Sequence, residues 1–250
     1  MARRSNLFQS HNPVMNERAL QGSQSAGADG LIYQEKMTVQ GAINKSMILF
    51  VILLLTSAYS YMNPSTLFFY GGLFGGLGIV LFSVFKKEWS PYLAPMYAAV
   101  EGLFVGSVTA MYASLMDGII FNAVSLTFAL LFLMLFLYKM EIIKVTEKFR
   151  SGVIMATGAV VVVYLVSWIL GMFGVNLPFL HEGGLMGIGI SLVIIAIASL
   201  NLLLDFDFFE KGAQAGAPAY MEWFAGMGLL ITLVWLYIEI LRLLSYLSSD

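Results

Sequence analysis

Long apolar runs separated by short polar breaks organise most of this chain. A helix needs about 20 apolar residues to cross a hydrocarbon core of roughly 30 Å, and seven segments approach or exceed that length: 46–62, 66–85, 92–114, 119–138, 152–173, 184–206 and 223–247. The breaks carry turn chemistry. Asn63-Pro64-Ser65 separates the first two runs, and Lys86 to Pro91 separates the second and third. Asn176-Leu177-Pro178 with His181-Glu182-Gly183 marks the fifth-to-sixth connection, and Gly212 to Pro218 the last. The gap 115–118 holds one charge, Asp117, so the third and fourth runs form a tight hairpin. Pro95 falls early in the third run, where it either sits in the first turn or kinks the helix. The pattern predicts an all-α membrane protein, a bundle of seven transmembrane helices over residues 46–250. A polar tail, 1–45, precedes it. Residues 21–30 of that tail are rich in Gly, Ser, Ala and Gln and are expected to be disordered. The tail has no apolar run of a cleavable signal peptide.

Lys and Arg orient the bundle. Of the 13 basic residues, all but Arg242 fall in the amino-terminal tail or in the second-to-third, fourth-to-fifth and sixth-to-seventh loops. Seven spans put all of these on one side, so the amino terminus is expected in the cytoplasm and the carboxyl terminus outside. The bacterial inner membrane is the expected location. Removing or adding one helix would scatter the charges over both faces.

Composition agrees. The chain is 59% hydrophobic and 11% charged, against roughly 45–50% and about 25% in soluble domains. A bilayer removes the need for a charged surface. The net charge of −2 leaves nucleic acid without an electrostatic footprint. There are no cysteines, and the two histidines, His11 and His181, lack ligand spacing. No metal cofactor or haem is therefore expected, with weak calcium binding as the one alternative. No Ser/His pair, HExxH or intramembrane Gly-Asp motif points to an enzyme. The expected partners are the lipid bilayer and, in a second reading, other membrane proteins.

Small residues recur at four-residue spacing: Gly71/Gly75 and Gly72/Gly76 in the second span, Gly102/Gly106 in the third, and Gly183, Gly187 and Ser191 in the sixth. Such strips let backbones approach closely. They serve bundle packing or a mobile seam.

Ionisable groups inside a membrane are functional candidates. Glu101 lies about nine residues into its span, roughly 10–15 Å below the surface. Asp205 and Asp207 close the sixth span, and Asn201 shares a helix face with Asp205. Asp205 and Asp207 are ~200° apart around the helix, so they face different surroundings. Glu101, Asn201 and one aspartate are thus expected to meet as an acidic cluster in the cytoplasmic half. Carboxylates crowded out of water take up protons nearer neutral pH, and as hard oxygen donors they suit calcium. The bland reading makes the aspartates solvated interfacial groups and Glu101 a protonated core residue. Glu239 and Arg242, three residues apart in the last span, form an ion pair near the outer boundary or line a pore.

The segments Ala94–Gly106, Asn201–Glu210 and Leu236–Leu244 resemble the third, sixth and last helices of the Bax inhibitor-1 family, with the likeness covering about residues 37–250 and leaving out the tail. The resemblance implies a last helix wrapped by the other six. It also implies a pH-sensitive calcium leak gated by aspartates on the sixth and seventh helices that share a proton. The sixth-helix aspartate maps onto Asp207, with Asp205 the alternative. The seventh-helix position holds no aspartate here. Matching Leu-Tyr-x-acid places Glu239 there, and the gap-free match places Thr232. Glu101 is a further source of the second carboxylate. The leading expectation is a proton-regulated cation leak or transporter. Its rival is a non-conducting membrane regulator of stress responses or proteolysis, acting through protein partners.

Overall fold

In the computed structural model, residues 35–114, 118–174 and 184–248 are described. Expectations about His11, Asp117, His181, Gly183, the fifth-to-sixth connection and the disorder of the tail lie outside them. Among the described residues the helices are α1 (Val39–Met62), α2 (Thr66–Phe85), α3 (Ser90–Ala113), α4 (Ile119–Lys139), α5 (Glu147–Met172), α6 (Leu185–Gln214) and α7 (Tyr220–Ser248), with a 3₁₀ turn, Lys87–Trp89, before α3. All seven are long and apolar enough to cross a membrane. The protein is an all-α seven-span membrane bundle.

Local chemistry sets the ends. Thr38, Ser65 and Thr146 precede α1, α2 and α5 in extended conformation, and each side chain accepts from a backbone N–H of the first turn. Gly118, at φ +76°, turns the chain into α4. Pro91 sits in the first turn of α3, and Pro95 lies inside the helix, which runs on through it.

Three boundaries differ from the hydropathy reading by five residues or more. Helix α1 begins at Val39, not at residue 46, because its polar residues Gln40 and Asn44 point outward and bond to each other at 3.0 Å. The tail accordingly ends before residue 39. Helix α5 begins at Glu147, taking the basic residues Lys148 and Arg150 into its first turn. Helix α6 continues past Phe206 to Gln214, so Asp205 and Asp207 lie within it and do not close it.

The core sits around α7. Of its most apolar stretch 61% is buried, against 11–17% for α1, α2, α4 and α5. It packs against α1, α3, α4 and α6, and side chains reach it from α2 (Ser83 beside Met227) and α5 (Tyr164 at Glu239). The most extensive interface joins α1 to α3, and glycine makes it possible. A Cβ on Gly102 would stand 1.9 Å from Thr56 Oγ1, and one on Gly106 would stand 2.2 Å from the Ser57 carbonyl oxygen. At this contact Ser60 Oγ donates to the Leu103 carbonyl at 2.7 Å and lies 2.8 Å from Ser107 Oγ. On α2, Gly72 meets Phe104, Gly75 meets Val100 and Gly76 meets Glu101 of α3, whereas Gly71 and Gly78 border open space.

A stability prediction follows. Gly106→Ala should destabilise the protein by about 1–3 kcal/mol, because a backbone carbonyl, not a flexible side chain, occupies the space. Gly78→Ala should leave stability unchanged or slightly raised. Thermal unfolding of the two variants in one detergent checks the pair.

Candidate functional site

The polar groups of the spans sort into four places. On α6, Asp205 faces α7 at Thr232 and Gly228. The Thr232 hydroxyl donates to the Gly228 carbonyl at 3.3 Å. A Cβ placed on Gly228 would stand in ordinary contact with Asp205 Oδ1, at 3.8 Å. Asp205 Oδ2 is buried and has no hydrogen-bond partner among the described residues. A buried acceptor left unpaired costs about 1–3 kcal/mol.

Asp207, two residues on, looks the other way. It is buried, receives the Arg150 guanidinium from α5, and pairs with Lys211 at 2.9 Å one turn along α6. Lys211 also reaches Glu147 at 4.0 Å. Nearby, the Tyr138 hydroxyl donates to Glu210 at 2.8 Å, and Lys139 stands 3.8 Å from the same carboxylate. These contacts tie the ends of α4, α5 and α6 together on the side of the basic loops. Asp207 is thereby charge-compensated twice, and its geometry is that of a clamp.

Glu239 is buried on α7 beside Arg242. The Tyr164 hydroxyl of α5 donates to Glu239 Oε2 at 2.9 Å, and the Arg242 guanidinium lies over the Tyr164 ring, 5.4 Å from its centroid. Ser191 faces the pair from α6 without closing a hydrogen bond to it. Thr232 and Glu239 are seven residues apart, so the pair lies roughly 10 Å further along α7 than Asp205 does.

Glu101 stands apart. It lies between Tyr97 on its own helix and Gly76 of α2. The expected meeting of Glu101, Asn201 and an aspartate does not form. Helix α7 packs on both α3 and α6 and lies between them, and the Asn201 side chain donates to Thr157 Oγ1 of α5 at 2.8 Å and to the Ile197 carbonyl at 2.9 Å.

Two sets of partners escaped the sequence reading. Arg150 and Tyr164 both come from α5, whose spacing says nothing of α6 or α7. Tyr164 did carry a signal: a hydroxyl amid a valine-rich run needs a partner when buried. Lys211, four residues after Asp207, carried another. The second set is a strap joining the start of α1 to the start of α7. Glu222 Oε1, in the first turn of α7, accepts from Thr38 N at 2.9 Å and from Thr38 Oγ1 at 3.0 Å, and Met37 N donates to the Ala217 carbonyl at 2.7 Å. A carboxylate at the start of α1 suits the positive end of its dipole.

Among the described residues no three acidic or imidazole groups converge on a point where a metal could be held. Among the described residues the arrangement offers intrahelical carboxylates without an ion pair, Asp205 against α7 and Glu101 against α2, beside an ion-paired clamp and an ion-paired Glu–Arg couple.

Compared with known proteins, the chain matches no curated sequence. A family model described as Bax inhibitor 1 like matches residues 12–249. That match reaches into the polar tail, beyond the resemblance that began near residue 37. With nearly the whole chain covered by that model and seven helices long and apolar enough to cross a membrane, the protein belongs to the Bax inhibitor 1-like family.

Proposed function

We propose that this protein is a proton-regulated cation leak, with calcium the favoured ion, and that Asp205 is its sensing carboxylate. The observation that carries the reading is the buried, unpartnered Oδ2 of Asp205 facing Thr232 of the central helix. A carboxylate with a free oxygen binds either a proton or a hard cation, and each displaces the other. Thr232 supplies a neutral oxygen where the family resemblance implies a second acid, so this chain senses with one carboxylate. Asp207 serves as a clamp, since Arg150 and Lys211 already neutralise it. The Glu239–Arg242 couple closes the path on the far side: the ion pair, held by the Tyr164 hydroxyl, leaves no free carboxylate there to take a cation. The activity needs no catalytic step and no tightly held cofactor.

The path runs between α6 and α7, from the basic-loop side outward. In this reading the amino terminus is cytoplasmic and the membrane is the bacterial inner membrane. Reporter fusions test the orientation. Those after Lys87 and Arg150 should read cytoplasmic and one after Gly174 external; an external reading after Lys87 overturns it. Calcium flux into vesicles containing the purified protein tests conduction. Measurable flux above protein-free vesicles is expected, whereas none at any pH favours the non-conducting regulator.

A further inference from the structure

A second feature of the bundle is lined by none of Asp205, Asp207, Glu239 and Arg242. On the side opposite the amino terminus, α1, α3, α4 and α7 enclose a cavity of about 290 Å³. That is roughly twice the ~150 Å³ apolar cavity that stays dry and takes up benzene. Its inner wall is Val105 of α3 with Leu230 and Val234 of α7. Its few hydroxyls are largely bonded within the protein: Thr109 Oγ1 donates to the Val105 carbonyl at 2.7 Å and lies 3.0 Å from the Tyr237 hydroxyl, and Thr127 donates to the Ala123 carbonyl at 2.7 Å. A polar ligand would find little to bond.

The mouth opens sideways. Helices α1 and α4 do not pack along each other. They are bridged by Phe50 and Phe128, edge to face at 5.7 Å. Beyond that bar, Leu54, Ala58 and Tyr61 of α1 and Val124 of α4 line the cavity and are exposed. Since these residues belong to membrane-spanning helices, the medium at the mouth is lipid. From Phe50 to Tyr61 is eleven residues, or roughly 16 Å of helix, about half of a ~30 Å hydrocarbon core. Tyr61 is the penultimate residue of α1, the interfacial level where tyrosine meets headgroups.

We propose that this cavity is a binding site for one acyl chain of a membrane phospholipid, drawn from the leaflet opposite the amino terminus. The chain enters between α1 and α4, the Phe50–Phe128 pair stops it near the midplane, and the headgroup stays at the level of Tyr61. The last helix thereby has a lipid as one of its packing partners.

The test uses full-length protein in phosphatidylcholine vesicles, with a photoactivatable diazirine near the end of the phospholipid's acyl chain. A parallel sample carries a free fatty acid with the same group. Cross-links mapped by mass spectrometry should fall on Val105, Leu230 and Val234 with the phospholipid probe, as well as on the lipid-facing Leu165. Ala58→Trp and Val124→Trp, each filling the exposed mouth, should both remove the inner cross-links and keep those at Leu165. Leu55→Trp, on the same helix but outside the cavity, should keep all of them. The proposal is overturned if phospholipid cross-links stay on outward positions only, if both mouth variants leave the inner cross-links intact, or if only the fatty acid reaches the interior.

Discussion

Arg242→Met should destabilise the protein by about 3–5 kcal/mol, the loss expected when one partner of a buried ion pair is removed and the other stays charged. Glu239 is only 3% exposed and Arg242 17%, so water cannot replace the guanidinium. Arg242 also covers the face of Tyr164, whose hydroxyl holds the other carboxylate oxygen. Removing Arg242 therefore strips Glu239 of its counter-charge and Tyr164 of its cover together. Adding Glu239→Gln to the variant should restore most of the loss, because a neutral amide needs no counter-ion and still accepts from Tyr164. Thermal unfolding of the three proteins in one detergent reads the cycle, and the coupling between the two changes should be large and non-additive. If the single variant unfolds at the wild-type temperature, the couple is not a buried ion pair. In the proposed path the same single variant should also raise cation flux, because the closing ion pair is broken and Glu239 is left free to take a cation.

How far the sequence leads can be judged residue by residue. Hydropathy and the distribution of Lys and Arg give seven helices, since a bilayer enforces span length and charge asymmetry on every segment. The start of α1 is less legible. Gln40 and Asn44 interrupt the apolar run, yet one outward polar stripe does not end a helix. Depth along a helix is also legible, from the rise per residue. Azimuth relative to neighbours is not. Glu101 and Asp205 sit on helices that the sequence allows to be adjacent, but α7 packs between those helices and turns each acid to a different neighbour. The ~200° between Asp205 and Asp207 is plain from the sequence. Which of them faces α7 depends on how α6 is rotated; in the structure Asp207 meets Arg150 of α5 and Asp205 meets Thr232 of α7. Likewise Thr232 and Glu239 are both alignable to one family position. Packing places Thr232 against Asp205 and Glu239 against Tyr164.

The second large effect concerns Asp205. As pH falls, protonation removes the charge that holds a cation, so wild-type flux should fall. Asp205→Asn is fixed in the uncharged form at every pH. Its flux should sit at the low-pH level of the wild type and stay flat. Asp207→Asn should behave otherwise. It leaves Arg150 and Lys211 without their shared anion, so stability drops while the pH response of the protein that remains folded persists. Glu101→Gln should keep the pH response as well, because Glu101 faces α2 and not the path. Stability measured alongside flux separates a lost sensor from a lost fold.

The most direct test of the central claim is calcium flux in proteoliposomes across a pH series, comparing wild type with Asp205→Asn at matched protein incorporation. A wild-type flux that declines as pH is lowered, beside a low and pH-independent flux for Asp205→Asn, is the predicted result. A pH response that survives Asp205→Asn but disappears in Asp207→Asn or Glu239→Gln would contradict it.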